Sequence, residues 1–150
     1  MVGRLPGSVF ADRHEYSVVT VSNRSGPIQV PHSDSLKRHA FYSGPMVVLI
    51  DEGTRSGKEC MAFQFKKSRR ARLLGTTTAG AVLGAQFFAG PGDGYILAVA
   101  LTSIRLDGEK LEGRGVTPDV RVERPLETPA AGDPQLDRAF EEIKLLLGRR

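Results

Sequence analysis

The stretch VVLIDEGTRSGKECMAF, Val47 to Phe63, decides how this chain is to be read. Val47–Ile50 sits inside a continuous apolar run, PMVVLID, the pattern of a strand buried on both faces of a parallel sheet. Glu52–Arg55 reads as a turn. Gly57–Lys67 reads as a helix, and its Cys60, Met61, Ala62, Phe63 and Phe65 leave it little polar face. Ser56 therefore stands between a strand and a helix. Gly57-Lys58 suggests the end of a phosphate-binding loop, but such a loop needs Gly five residues earlier and Ser or Thr after the lysine. Those places hold Glu52 and Glu59, two carboxylates that would repel phosphate. The phosphate loop is excluded. Two readings of Ser56 remain. Ser56-x-x-Glu59 is a capping box, in which the serine satisfies orphan amides for roughly 1 kcal/mol. A serine on a sharp strand-to-helix turn also projects its hydroxyl into an open crevice, where the Gly57 amide and the positive helix end can stabilise an oxyanion. Spacing alone does not choose between cap and nucleophile.

Outward from this stretch, ARLLGT at 71–76 suits a second strand and closes a β-α-β unit. GTTTAGAVLG at 75–84 reads as a Gly/Thr-rich loop, AQFFA and YILAVALTSIRL as strands separated by the turn GPGDG, and Asp107-Gly108 as a hairpin turn. DVRV at 119–122 is a last short strand, and ERPLETPAAG at 123–132 has a linker's composition. A clear helix follows, capped by Asp133 with Pro134 in its first turn. Leu136, Ala139, Phe140, Ile143, Leu146 and Leu147 form one apolar stripe along it. Before residue 45 the sequence is less informative. Residues 1–44 read as a lead-in to the same domain, with a strand in YSVVTVS at 16–22 and a surface loop in NRSGPIQVPHSDS at 23–35.

The 150 residues suit one domain, and 40% apolar with 25% charged residues is ordinary for a globular protein. Lys+Arg number 21 against 17 Asp+Glu, a net charge of +4. Much of that excess sits in KKSRRAR at 66–72, which reads as a helix end with solvated cations. No aromatic residues interleave with it, so no nucleic-acid partner is expected. Cys60 is the sole cysteine, so no internal disulfide forms, and His14, His32 and His39 show no paired-ligand spacing. No metal or cofactor is expected. No stretch approaches the roughly 20 apolar residues of a membrane-spanning helix, and MVGRLPGSVFADRHEY lacks the apolar core of a signal peptide. Neither fact fixes a compartment.

VVLIDEGTRSGKE, ARLLGTTTAGA, LDGEKLEGRGVTPDV and DPQLDRAFEEI, in that order, resemble the C-terminal processing (tail-specific) serine peptidases. The chain resembles especially the branch related to the tricorn protease core and the interphotoreceptor retinoid-binding modules. The resemblance covers roughly Gly44–Leu147 and implies an α/β fold with a crotonase- or Clp-protease-like β-α-β core, incomplete at its N-terminal side. It implies peptide-bond hydrolysis through an acyl-enzyme at Ser56, with the Gly57 amide in the oxyanion hole. It also implies a peptide or protein substrate, with Gly80 and Ala81 in one wall of the substrate crevice. Residues 45–150 would then be the C-terminal part of a catalytic domain.

The chain departs from the family at the general base. One branch places a lysine after the glycine of a Thr-x-Gly turn, but here Thr78-Ala79-Gly80 is followed by Ala81. Lys58 does not replace it, because side chains two apart on a helix do not face each other. The tricorn-like branch uses a histidine from a segment well before the nucleophile, and no histidine here matches that context. Glu112, in LEGRGVTPD, is the candidate to orient such a histidine, against the plainer role of a charged turn residue before Gly113. Glu59 resembles the family's acidic residue in the nucleophile helix, though capping already explains it, and Cys60 is expected in the core. The chain is therefore expected to be weak or inactive alone, completed by a missing N-terminal half or by self-association. Alternatives are a ligand- or peptide-binding module on the same fold and, by architecture only, a crotonase-like acyl-CoA enzyme.

Overall fold

A computed structural model describes residues 19–30, 42, 44–90, 92, 94–123 and 132–148. The histidines, most of the lead-in and most of the 123–132 segment lie outside them. Among the described residues nine elements follow in order: β1 (Val19–Asn23), β2 (Gly26–Val30), β3 (Val47–Ile50), α1 (Gly57–Lys67), β4 (Arg72–Gly75), β5 (Leu83–Ala89), β6 (Ile96–Leu106), β7 (Val120–Arg121) and α2 (Pro134–Leu147).

The expected β-α-β unit is present. β3 and β4 run parallel from Val47↔Arg72 to Ile50↔Gly75, and β7 joins β4 on its other side. β4, in the middle of this three-stranded sheet, is the strand covered on both faces, with Leu73 and Leu74 fully buried. β3 does not meet the expectation of a doubly buried strand. It is an edge strand, only Ile50 is buried, and Leu49 remains 40% exposed. Strand order, which the residue pattern does not encode, decides this difference.

The other sheet is antiparallel, in the order β2-β1-β6-β5. Here the described part of 23–35, up to Val30, differs from the surface loop expected of it, and 31–35 lie outside the described residues. Gly26–Val30 pairs with β1 from Asn23↔Gly26 to Val19↔Val30, as the second strand of a hairpin turned at Arg24-Ser25. Pro27 is tolerated because β2 is an edge strand among the described residues, and its missing N–H faces away from β1. The Gly/Thr-rich loop is also shorter than expected, since β5 begins at Leu83 and carries a bulge between Gly84 and Ala85.

Both sheets share one core. Ile50 and Leu73 from the parallel sheet, Ala62 and Phe65 from α1, Leu106 from β6, and Val82, Leu111 and Val116 from the connections pack together. The basic run is held by its surroundings as well as solvated. Lys66 Nζ donates to the Thr117 carbonyl at 2.7 Å and to its hydroxyl at 2.8 Å, Lys67 pairs with Asp107, and Arg70 donates to the Gly44 carbonyl at 3.0 Å. At α2, Asp133 Oδ1 accepts the Gln135 and Leu136 amides at 3.0 and 3.1 Å, as the sequence predicts. The stripe is only half used. Ala139 is buried, while Leu136, Phe140 and Leu147 are exposed, and α2 meets β3 and β4 through a face that also buries Gln135 and Glu142.

Candidate active site

The turn that carries Ser56 is fixed before the helix begins. Asp51 Oδ1 accepts from the Gly53 amide at 3.0 Å and from the Thr54 hydroxyl at 3.1 Å, while the Asp51 carbonyl accepts the Thr54 amide at 3.0 Å. Behind this local turn, the Thr54 carbonyl takes the Ala79 amide at 3.0 Å. Ser56 leaves the turn with φ 57° and ψ −127°, a left-handed conformation that is rare for any residue bearing a Cβ. An ordinary N-cap serine is extended. The surrounding bonds hold Ser56 in the strained form, with its residue exposed and α1 starting at Gly57.

The capping box is present but lopsided. Glu59 Oε2 accepts the Ser56 amide at 3.2 Å, whereas the Glu59 amide donates to the Ser56 carbonyl at 2.9 Å and only loosely approaches the hydroxyl. Both halves of the capping box are present, but the hydroxyl makes no cap hydrogen bond of full geometry. The Gly57 amide has no acceptor among the described residues, and a Cβ placed on Gly57 would meet nothing within 4 Å. An unpaired amide, a helix N-terminus and open space lie together beside the serine.

The element that organises the site is Glu59, which is fully buried. Its Oε1 accepts from the Thr78 hydroxyl at 2.5 Å and the Gly80 amide at 2.7 Å. Its Oε2 accepts from the Ala81 amide at 2.7 Å in addition to Ser56. Three of these donors are backbone amides that can only donate, so the site suits an acceptor-only carboxylate. One side chain thus ties the serine turn to the loop 76–82. That loop is in turn locked to the turn at 111–116. Gly113 donates to the Gly80 carbonyl at 2.8 Å, Thr78 to the Val116 carbonyl at 3.1 Å, and the Val116 amide to the Thr78 hydroxyl at 2.8 Å. Gly115, at φ 68°, is needed for the approach, because a Cβ there would lie 2.3 Å from the Thr78 carbonyl oxygen.

Glu112 belongs to the same assembly. Its Oε2 accepts the Val82 amide at 2.5 Å, while the Ala81 carbonyl accepts the Ser56 amide at 3.0 Å. These two groups are the ends of a single trans peptide, Ala81–Val82, gripped from one side by Ser56 and from the other by Glu112. Adding the two hydrogen bonds to the width of a peptide puts the Ser56 nitrogen and the Glu112 carboxylate about 8 Å apart. Gly80 is buried, with its amide on Glu59 and its carbonyl on Gly113, and Ala81 is half-buried. Lys58 is exposed on the first turn of α1. Burial raises the Cys60 thiol above its ordinary range, and the charge of the adjoining Glu59 adds to the effect. Among the described residues no cluster of three or more His, Cys, Asp or Glu could hold a metal, and no helix is long and apolar enough to cross a membrane.

Comparison with known proteins places this arrangement. The model of peptidase family S41 matches residues 8–122, which include the serine turn, the loop 76–82 and Glu112. The chain belongs to peptidase family S41. It is 33% identical over 103 residues to the tricorn protease of Thermoplasma volcanium, which covers 67% of this chain and 10% of that protein. It is 33% identical over 115 residues to a carboxyl-terminal-processing protease of Synechocystis sp., covering 75% of this chain and 26% of that one. The S41 chain thus spans between about a tenth and about a quarter of these curated relatives' lengths. Its fold is like that of the photosystem II D1 C-terminal processing protease, with a TM-score of 0.61 at 24% identity over 93% of this chain and 33% of that chain. The crystal structure of the tricorn protease gives a TM-score of 0.50 at 27% identity over 69% of this chain and 10% of that chain.

Proposed function

We propose that this S41 chain carries the nucleophile-bearing part of a serine peptidase on a crotonase-like core, and that it cleaves peptide bonds through an acyl-enzyme at Ser56. The observation that carries this reading is the conformation of Ser56. A serine that only capped α1 would gain nothing from φ 57°, whereas a nucleophile gains an exposed hydroxyl at a helix N-terminus. Its Oγ attacks the carbonyl carbon of a bound peptide as a base takes the hydroxyl proton. The resulting oxyanion is met by the Gly57 amide. The intermediate collapses by expelling the amine, which receives that proton, and water then hydrolyses the ester.

The base is a histidine supplied by polypeptide outside the described residues and oriented by Glu112. Glu112 Oε2 holds the Val82 amide, and its Oε1, without a partner among the described residues, is left to accept an imidazole N–H. Ala81 stands where the lysine-using branch places its base, so this chain has no dyad of that kind. The substrate is a peptide or protein held in extended form beside the loop 76–82, which Gly80 shapes from within and Ala81 borders.

Fluorophosphonate labelling followed by peptide mass spectrometry tests the assignment, with Ser56→Ala as control. A single phosphonyl adduct on Ser56, lost in the alanine variant, is expected. Adducts spread over exposed serines, with none preferred, would remove Ser56 from the nucleophile's role.

A further inference from the structure

The turn of the β1–β2 hairpin and the β5–β6 pair border a cavity of about 430 Å³, whose lining includes Arg24, Ser25, Gly84, Gln86, Leu101 and Thr102. That volume is in the range of small-ligand sites. Its walls depend on two irregularities of the sheet. Gly84 pairs with Thr102 and Ala85 with Ala100, so Leu101 is left over in a bulge, a device that re-aims side chains beside functional sites. Gly84 is needed there, because a Cβ on it would overlap the Thr102 hydroxyl. The cavity adjoins the candidate active site. Gly84 lies two residues beyond Val82, and the Ala81 carbonyl accepts the Ser56 amide at 3.0 Å. The Gly84 Cα is therefore within about 13 Å of the Ser56 nitrogen, the span of about four residues of extended peptide.

We propose that this cavity is a subsite for an acidic side chain of the peptide substrate, with the carboxylate held by Arg24. The proposal rests on the reading of the loop 76–82 as a wall of the peptide crevice. Three features select a carboxylate. The Arg24 guanidinium has no ion-pair or hydrogen-bond partner among the described residues, and its planar fork matches a carboxylate through two parallel bonds. Beside it the Ser25 hydroxyl and the Gln86 side-chain amide, both able to donate, also lack partners among the described residues. The surrounding sheet offers no competing acid. β1, β2, β5 and β6 carry one charged side chain, Arg105, which donates to the Gly108 carbonyl at 2.9 Å. Around Ser56 the same sign prevails. Arg55 and Lys58 are exposed and have no ion-pair partner among the described residues. The carboxylates nearby, Asp51, Glu52, Glu59 and Glu112, each accept hydrogen bonds from the protein. Charge therefore favours an acidic peptide from the nucleophile to the cavity.

The test is a nuclear magnetic resonance titration of the full ¹⁵N-labelled chain with acetylated, amidated alanine–serine peptides, each carrying one glutamate, up to about 5 mM. Matched peptides carry glutamine or lysine at the same place. Glutamate peptides should shift the Arg24 side-chain Nε–H, the Gln86 side-chain amide and the Gly84 amide saturably. Glutamine peptides should bind about tenfold or more weakly, and lysine peptides more weakly still. Arg24→Gln, at an exposed turn, should keep the melting temperature and erase the preference for glutamate, whereas Arg105→Gln, outside the cavity, should keep that preference. The titration reads binding alone, so it gives the same answer in Ser56→Ala. An acidic preference in a chain whose Ser56 resists fluorophosphonate would uphold the cavity and remove the nucleophile. Absence of shifts at these three groups, equal binding of glutamate and glutamine peptides, or a preference that survives Arg24→Gln overturns the proposal. So does binding that appears only when the peptide's C-terminus is left free, since the ligand is then a terminal carboxylate.

Discussion

Replacing Glu59 should do far more damage than the loss of a helix cap. A capping carboxylate at an exposed first turn contributes about 1 kcal/mol. Glu59 is fully buried and receives four donors, from Ser56, Thr78, Gly80 and Ala81. In Glu59→Gln the volume is kept, but one oxygen becomes an NH₂ that faces two donors whichever way the amide is turned. Turned toward Oε1, it can be met by a rotated Thr78 hydroxyl, and the Gly80 amide is then orphaned. Turned toward Oε2, it orphans the Ala81 amide and leaves the Ser56 amide only its bond to the Ala81 carbonyl. One buried amide is thus unpaired in either orientation, so the glutamine variant should lose about 1–3 kcal/mol. Glu59→Ala orphans both the Gly80 and Ala81 amides and leaves a cavity, a larger loss of about 3–6 kcal/mol. Urea unfolding measures this directly. At an m-value of about 2 kcal/mol/M, the glutamine variant's midpoint should fall by about 0.5–1.5 M with m unchanged. Amide exchange at Gly80 and Ala81 should accelerate with it. A Glu59→Gln midpoint within about 0.3 M of wild type would refute the claim that this carboxylate holds the serine turn and the loop 76–82 together.

Ala81→Lys puts an amine where the lysine-using branch carries its base, and should raise the rate of fluorophosphonate labelling at Ser56 by about tenfold or more, an effect lost on adding Ser56→Ala. Gly115→Ala forces a Cβ to 2.3 Å from the Thr78 carbonyl oxygen at φ 68°. It should cost at least about 2 kcal/mol, seen as a melting temperature lowered by about 4 °C or more; an unchanged melt would contradict the close approach. The Cys60 thiol, raised first by burial and then by the charge of Glu59, should react with iodoacetamide more slowly at pH 8 than an unfolded cysteine. Because the folded state holds that proton more tightly, its contribution to stability is present below the unfolded thiol's range and is lost as pH rises through the folded value. A Cys60→Ala variant with the same alkaline loss of stability as wild type would argue against this.

The β3–α1–β4 unit and the Asp133-Pro134 start of α2 were legible because their signals are local: an apolar run, helical spacing and a cap. What failed was set by neighbours. β3 looked doubly buried because its residues are all apolar, but its edge position leaves Leu49 open. β2 looked like a loop because Gly26 and Pro27 are turn residues, and only its edge position makes them acceptable in a strand. At the site, spacing left Ser56 open between cap and nucleophile and only the resemblance favoured the nucleophile, while Glu59 looked like a cap. Its Thr78, Gly80 and Ala81 partners come from 19 to 22 residues away. The available signals were its likeness to the family's acidic residue in the nucleophile helix and a carboxylate among apolar neighbours in a helix expected to be buried. The grip of Glu112 on Val82 spans 30 residues and had no local signal at all.

The measurement closest to the central claim is the rate of Ser56 phosphonylation as imidazole is added, in wild type and in Glu112→Gln. If Ser56 is a positioned nucleophile lacking only its base, imidazole should accelerate labelling saturably, by about tenfold or more, and Glu112→Gln should weaken that rescue. Labelling that ignores imidazole, or that rises only linearly and equally in both proteins, would contradict the account.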